Sequence, residues 1–266
     1  MKIIMLGAGS AMTSCLYNTC FLIDDVGKYF LVDGGGGNQI FVQLKKAGVS
    51  PFDVRDIFVT HKHMDHLLGV LWMVRFICQE MKNGRYEGDA RIYGNNDTIS
   101  ILKEIAEKLL FSKQIQYLGT RLKLIAVNDG EELEINGRRF VFFDIGSEKA
   151  PQSGFMMSLD DGKRLVCCGD EPCSRQGEKY AENCDWLMHE AFCLFSESDF
   201  FRPYEKKHST ARDACENAER LGVKNLILYH TEESHLSDRK FLYTEEGRKY
   251  FSGNIFVPDD LETIEI

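Results

Sequence analysis

The sequence has no uncharged apolar run approaching the roughly 20 residues that a membrane-spanning helix needs, so a helical anchor is not expected. Its opening, MKIIMLGAGS, reads as a short strand and a turn. It lacks the basic region and long apolar stretch of a secretory signal. A cysteine pairing pattern is also missing: the nine cysteines are odd in number and none falls in a C-x-x-C spacing. Several sit inside apolar stretches such as RLVCCGD and HEAFCLF, which argues for reduced, buried thiols rather than a disulfide framework or a cysteine zinc ribbon. These absences predict a soluble, cytoplasmic protein. Proline is scarce (5 of 266), and no Pro- or Ser-rich linker, low-complexity tract or internal repeat breaks the chain. Basic charge is in deficit, 32 Lys and Arg against 41 Asp and Glu, a formal net charge of -9. That argues against a broad basic surface for duplex or long RNA, where phosphate neutralisation supplies most of the affinity.

What is present is enough apolar content, 44% of 266 residues, for a real core, and a single domain spanning 1–266 is expected. The first third alternates β-rich runs (KIIML, CFLID, KYFLVD) with Gly-rich turns, then passes through GGGGN into the helical QIFVQLKKAG. Strand DIFVT, a long apolar-faced helix over HLLGVLWMVRFICQEMK, strand RIYG and an amphipathic helix with an Asp cap at DTISILKEIAEKLLF come next. From residue 121 strands dominate (RLKLIAV, EELEI, RRFVFFDI, GFMMSL, KRLVCCGD), punctuated by NDG, NG and DDG. Strand DWLMHE, helix ARDACENAERLG, strand NLILYH, helix TEEGRKYF and strand NIFVP complete the chain. Strands in both halves with interleaved helices predict an α/β fold of two stacked sheets with helices outside.

The stretch VTHKHMDHLLGV carries the chemistry. His61 and His63 are two apart, which in extended backbone aims both imidazoles to one side. Asp65 and His66 fall where the next helix begins, and the helix dipole favours a carboxylate there. Three imidazoles and a carboxylate at a strand-to-helix turn suit zinc, with iron or manganese as options.

At this point the chain resembles the metallo-β-lactamase superfamily, whose H-x-H-x-D-H motif is matched by His61, His63, Asp65 and His66. The resemblance implies a four-layer αββα sandwich of two mixed sheets. It implies a metal-bridging aspartate after a strand, matched by Asp170 in RLVCCGD, and a late ligand histidine, matched by His230 in NLILYH. It also implies an early VDGG, matched at Val32 to Gly35, where Asp33 is expected to organise the loop. Within the superfamily the chain looks most like the tRNase Z (ribonuclease Z) branch: MLGAGSAMTSCLYN resembles its LGTGS-type opening, WLMHEAF its HEAT-type box, and HSTARDACENAERLGVKNLILYH its HST segment. His189 reads as a core histidine. Thr210 and Asp213 make a capping box for the next helix. His208, beside Lys206, Lys207 and that helix start, is a candidate for phosphate binding or proton donation.

Two departures matter. The family implies a third histidine for the first metal, yet no histidine occurs between His66 and His189. Glu148 falls at about the ligand position, if Pro151 and Gly154 keep their family places. The second ion, with Asp65, His66, Asp170 and His230, has a full set, so one or two ions are expected. The long tRNA-gripping arm of the branch is also missing, since only about twenty residues separate Glu148 from Asp170, enough for two strands and a turn. The expectation is therefore a metal-dependent phosphodiesterase related to ribonuclease Z, with Asp65 as ligand and proton acceptor and His208 steadying the developing negative charge or protonating the leaving group. A small phosphorylated substrate is favoured over tRNA, and no membrane partner is expected. The alternatives are a tRNA 3′-processing endoribonuclease and a non-catalytic, metal-binding or sensor domain. The oligomeric state stays open, a homodimer included.

Overall fold

Near-continuous apolar runs become buried strands, and one-sided apolar patterns become the helices that cover them. The computed structural model describes residues 1–266, which divide into two units. The first comprises Met1–Gly7, Tyr17–Asn128 and Asp260–Ile266, and the second Ala8–Leu16 and Asp129–Asp259.

The first unit runs β1 (Lys2–Gly7), β2 (Cys20–Asp25), β3 (Lys28–Val32), α1 (Ile40–Lys46), β4 (Val54–Val59), α2 (Met64–Lys82), β5 (Ala90–Gly94), α3 (Asn96–Leu109), α4 (Ser112–Ile115) and β6 (Leu122–Ala126). Its seven-stranded sheet places the C-terminal strand Thr263–Glu265 beside β1 and continues in order to β6. Pairing is antiparallel up to β3 and parallel from β3 to β6. Val70, Met73, Val74 and Ile77 recur at helical spacing on α2 and are fully buried in one cluster with Ile57 and Val59 of β4 and Ile92 of β5. Each such side chain contributes about 1.5–3 kcal/mol of burial, which holds α2 over the sheet. The start of α2 comes closer still. Gly34 N–H donates to His66 O at 2.9 Å and Gly69 N–H to Gly35 O at 2.8 Å. A Cβ on Gly69 would lie 1.7 Å from Gly34 O, so only glycine permits this approach.

The second unit contains β7 (Glu132–Ile135), β8 (Arg138–Asp144), β9 (Ser153–Ser158), β10 (Arg164–Cys167), α5 (Arg175–Ala181), β11 (Trp186–Glu190), α6 (Ser198–Phe201), α7 (Ala211–Arg220), β12 (Asn225–Tyr229), α8 (Arg239–Gly247) and β13 (Asn254–Phe256), after which the chain returns to the first unit as β14 (Thr263–Glu265). This sheet is in sequence order, antiparallel from β7 to β10 and parallel from β10 to β13. Ala211, Ala214, Cys215 and Ala218 of α7 are buried in a second cluster with Leu187 of β11 and Leu226 and Leu228 of β12. Both sheets are mixed and carry helices, as the α/β reading expects.

Several boundaries differ from the sequence reading. The cap of α3 is Asn95, whose Oδ1 accepts from Thr98 N–H at 2.8 Å, so the helix begins before the expected Asp97 cap. β10 ends at Cys167, and Gly169 at φ +78° turns the chain out of the ladder, which leaves Asp170 in a turn. α8 starts at Arg239, ahead of the TEEGRKYF segment, while α4, α5, α6 and β14 are additional to the elements expected from periodicity. All nine cysteines are free and only Cys15 is exposed. No helix is long and apolar enough to cross a membrane.

Candidate metal centre

Parallel strands gather functional groups at their carboxyl ends, and both units follow that rule. In the first unit, β4 leads into His61 and His63, with His63 in extended backbone at the start of α2. His61 is buried, and its Nε2 lies 2.8 Å from His63 Nδ1. Two nitrogens on one tetrahedral zinc stand about 3.3 Å apart at the usual Zn–N lengths, so this pair is close to a ligand spacing. The His61 and His66 rings are 4.2 Å apart, and His66 Nε2 lies 3.3 Å from Asp65 Oδ2.

Asp33 orients this cluster from just beyond β3. Its Oδ1 accepts from Thr60 N–H at 2.8 Å, and its Oδ2 accepts from Thr60 Oγ1–H at 2.8 Å and His66 Nδ1–H at 2.7 Å. Thr60, having donated its only hydroxyl proton, is left to accept from His61 Nδ1–H at 3.0 Å. Both rings are thereby held with the proton on Nδ1 and Nε2 turned inward, the tautomer a metal needs. Burial opposes protonation of His66, but the Asp65 and Asp33 carboxylates outweigh it and raise its pKa well above the ordinary value. The donor set therefore fits a divalent cation that replaces the proton. Asp33 is left-handed at φ 58°, a conformation Asp tolerates better than most residues.

In the second unit Asp170 lies beyond β10, Glu190 ends β11, His208 precedes α7 and His230 comes directly after β12. One ligand atom from each of Asp170, His208 and His230 lies within 4.8 Å of the others, and His230 Nε2 is 3.8 Å from Asp170 Oδ2. His230 is itself left-handed at φ 59°. Its neighbour Thr231 fixes that conformation: Thr231 N–H donates to Ala8 O, Ser10 N–H donates to Thr231 O, and Arg239 Nη1 donates to Thr231 Oγ1. Strain of this kind persists only where the surroundings over-determine it. Glu190 is fully buried, and its Oε1 accepts from Ser209 N–H and Ser209 Oγ–H. Its Oε2 faces His208 Nδ1 at 3.6 Å, and the His208 ring stacks on Phe192 at 5.1 Å. Burial disfavours the His208 imidazolium, yet the Glu190 charge prevails and raises the pKa.

The family model described as Anti-Pycsar protein Apyc1 matches residues 1–248. The chain belongs to the Apyc1 anti-Pycsar family. Among curated proteins it is similar to a ribonuclease Z of Ignicoccus hospitalis, 28% identical over all of this chain and 98% of that one. Among solved structures it resembles the metallo-β-lactamase fold protein YhfI from Bacillus subtilis (TM-score 0.79, 17% identity, 99% and 98% of the two chains). It also resembles a diphosphatase from the PhnP family (TM-score 0.74, 18% identity, 100% and 96%). The fold is that of the metallo-β-lactamase superfamily, and the chain is a hydrolase on its ribonuclease Z-like branch.

In this Apyc1-family chain the structure brings His61, His63, Asp65 and His66 together in the first unit, and Asp170, His208 and His230 together in the second. It does not gather Glu148 with the second group. That side chain is exposed, and its carboxylate accepts from Lys207 Nζ at 2.7 Å, which holds its pKa down. Glu148 is therefore a surface ion-pair residue, because the loop after β8 turns it toward the lysine. The buried carboxylate nearby is Glu171, bonded by Ser147 Oγ–H at 2.7 Å and Gln152 Nε2–H at 3.1 Å. Sequence reasoning assigned no role to Thr60 or Glu190. The Thr immediately before H-x-H and the Glu of the HEAT-type box were the available signals.

Proposed function

We propose that the chain hydrolyses a small phosphodiester with one or two divalent ions, zinc or alternatively manganese or iron. The proposed ligands are His61, His63, Asp65, His66, Asp170 and His230, as the superfamily pattern implies. The observation that carries the reading is the tautomer of His61 and His66, fixed by Asp33 and Thr60 on the Nδ1 side of each ring, so that Nε2 of each faces the neighbouring candidate ligands His63 and Asp65. A divalent cation in such a set supplies Lewis acidity and lowers the pKa of water. His208 donates the proton to the departing oxygen, a role favoured because Glu190 raises its pKa against the effect of burial, and the Phe192 ring stacks on it. Asp65 accepts the proton released by water.

A small substrate is supported by the short β9–β10 connection. It is a single turn over Asp160–Gly162, with no inserted arm. The net charge of -9 points the same way. The test is turnover of a chromogenic phosphodiester by the purified protein, abolished by a chelator and restored by zinc or manganese. A metal-loaded protein that cleaves no diester would overturn the reading, and cleavage of pre-tRNA alone would favour the endoribonuclease alternative. The placement of Glu148, on a surface ion pair with Lys207, supports a single tightly held ion. Elemental analysis distinguishes one ion from two.

A further inference from the structure

His189 takes no part in the chemistry above, and it is fully buried near the end of β11. Its Nε2 accepts from Cys173 N–H at 3.1 Å and lies 3.3 Å from Asn217 Nδ2. Its Nδ1 is 2.7 Å from the Glu190 carbonyl oxygen. A backbone N–H can only donate and a carbonyl can only accept, so the ring is neutral with its proton on Nδ1. Burial also holds its pKa below the ordinary value. The Nε2 bond ties Cys173, three residues after Asp170, to β11, and the Nδ1 bond goes to the carbonyl of the next residue, Glu190, whose side chain faces His208.

We propose that His189 is a positioning residue, a rigid two-ended link that fixes the Asp170–Cys173 segment relative to Glu190 and so sets both the metal-holding carboxylate and the His208 orienter. The proposal rests on the roles given above to Asp170 and Glu190. Packing alone could be met by another side chain of similar volume, but an acceptor at one end and a donor at the other cannot. A cavity of about 220 Å³, lined by His189, Cys173, Tyr204, His208 and Asn217, opens beside the ring. It offers room for a small molecule to reach the gap that a truncation would leave.

The experiment compares full-length H189A, H189N and H189Q for zinc content after dialysis against a weak chelator, and for kcat and KM on a chromogenic phosphodiester. Each is measured with and without added imidazole. H189A should lose zinc affinity and kcat by about 10–100-fold, the usual effect of removing an outer-shell partner, with KM less affected. Imidazole should restore part of both. H189Q places an acceptor near the Nε2 position and should retain zinc better than H189N, which places a donor near Nδ1 instead. If H189A proves unable to fold, the Gln and Asn pair still carries the comparison. Full zinc retention in H189A would overturn the proposal, as would equal losses in folded H189A, H189N and H189Q with no response to imidazole. Parent protein that holds zinc but turns over no diester would defeat the functional reading alone, and the zinc measurements would still decide the role of His189.

Discussion

Replacing Asp33 by asparagine changes almost nothing in shape and should cost most of the metal affinity of the first cluster. In the parent, one carboxylate accepts three hydrogen bonds, from Thr60 N–H, Thr60 Oγ1–H and His66 Nδ1–H. The amide in D33N offers a single acceptor oxygen. If that oxygen stays on Thr60 N–H, the new NH₂ group faces two donors. Thr60 can rotate its hydroxyl, but His66 escapes only by moving its proton to Nε2, the nitrogen proposed for the metal. A hydrogen bond to a charged acceptor is worth roughly 1.5–3 kcal/mol. Outer-shell substitutions typically weaken metal binding about 10–100-fold, which is about 1.4–2.7 kcal/mol, so the two estimates agree. Chelator competition on D33N should therefore read a weakening of zinc binding by about tenfold or more. D33A loses the same bonds and puts alanine, which lacks the polar side chain that makes aspartate tolerant of this conformation, at φ 58°, a penalty of up to about 1–2 kcal/mol. At this chain length 1 kcal/mol moves Tm by about 2–4 °C, so D33A should melt measurably below D33N without metal. Zinc binding in D33N as tight as in the parent would refute the tautomer argument.

G69A should destabilise the fold by about 1–3 kcal/mol or more, because its Cβ meets Gly34 O at 1.7 Å, whereas G37A, with nothing within 4 Å, should leave Tm unchanged in thermal melts. E190Q should move the alkaline limb of the pH–rate profile to lower pH. The Glu190 charge raises the His208 pKa, so its removal lets the acid deprotonate earlier, and an unmoved limb would assign the limb to another group. E148A should leave zinc stoichiometry and turnover as they are, since its carboxylate is exposed and engaged by Lys207; elemental analysis showing a lost ion would restore Glu148 to the ligand set.

Much of this was legible in the sequence because it depends on neighbours along the chain. Four candidate ligating groups in six residues need only one strand exit and one helix start to converge, and β4 and α2 supply them. The capping box of Thr210 and Asp213 forms as read, with Thr210 Oγ1 accepting from Asp213 N–H at 3.2 Å. The expected loop-organising role of Asp33 matches its three bonds, although its partners could not be named from spacing alone. The boundaries that slipped were set by single backbone events, such as the turn at Gly169 that carries Asp170 beyond β10.

Composition and periodicity determined the strands and helices, and the H-x-H-x-D-H spacing marked the candidate metal-ligand segment, since apolar spacing and local turn chemistry act over a few residues. Tertiary structure alone decided which carboxylate serves which histidine. Asp33 reaches His66 across 33 positions because Gly34 and Gly69 let β3 and α2 approach; Glu190 reaches His208 through Ser209; and Glu148 turns outward to Lys207, 59 positions away. Those pairings depend on where the backbone puts each charge relative to solvent. A buried carboxylate must satisfy its oxygens with nearby donors, while an exposed one is free to take a surface lysine.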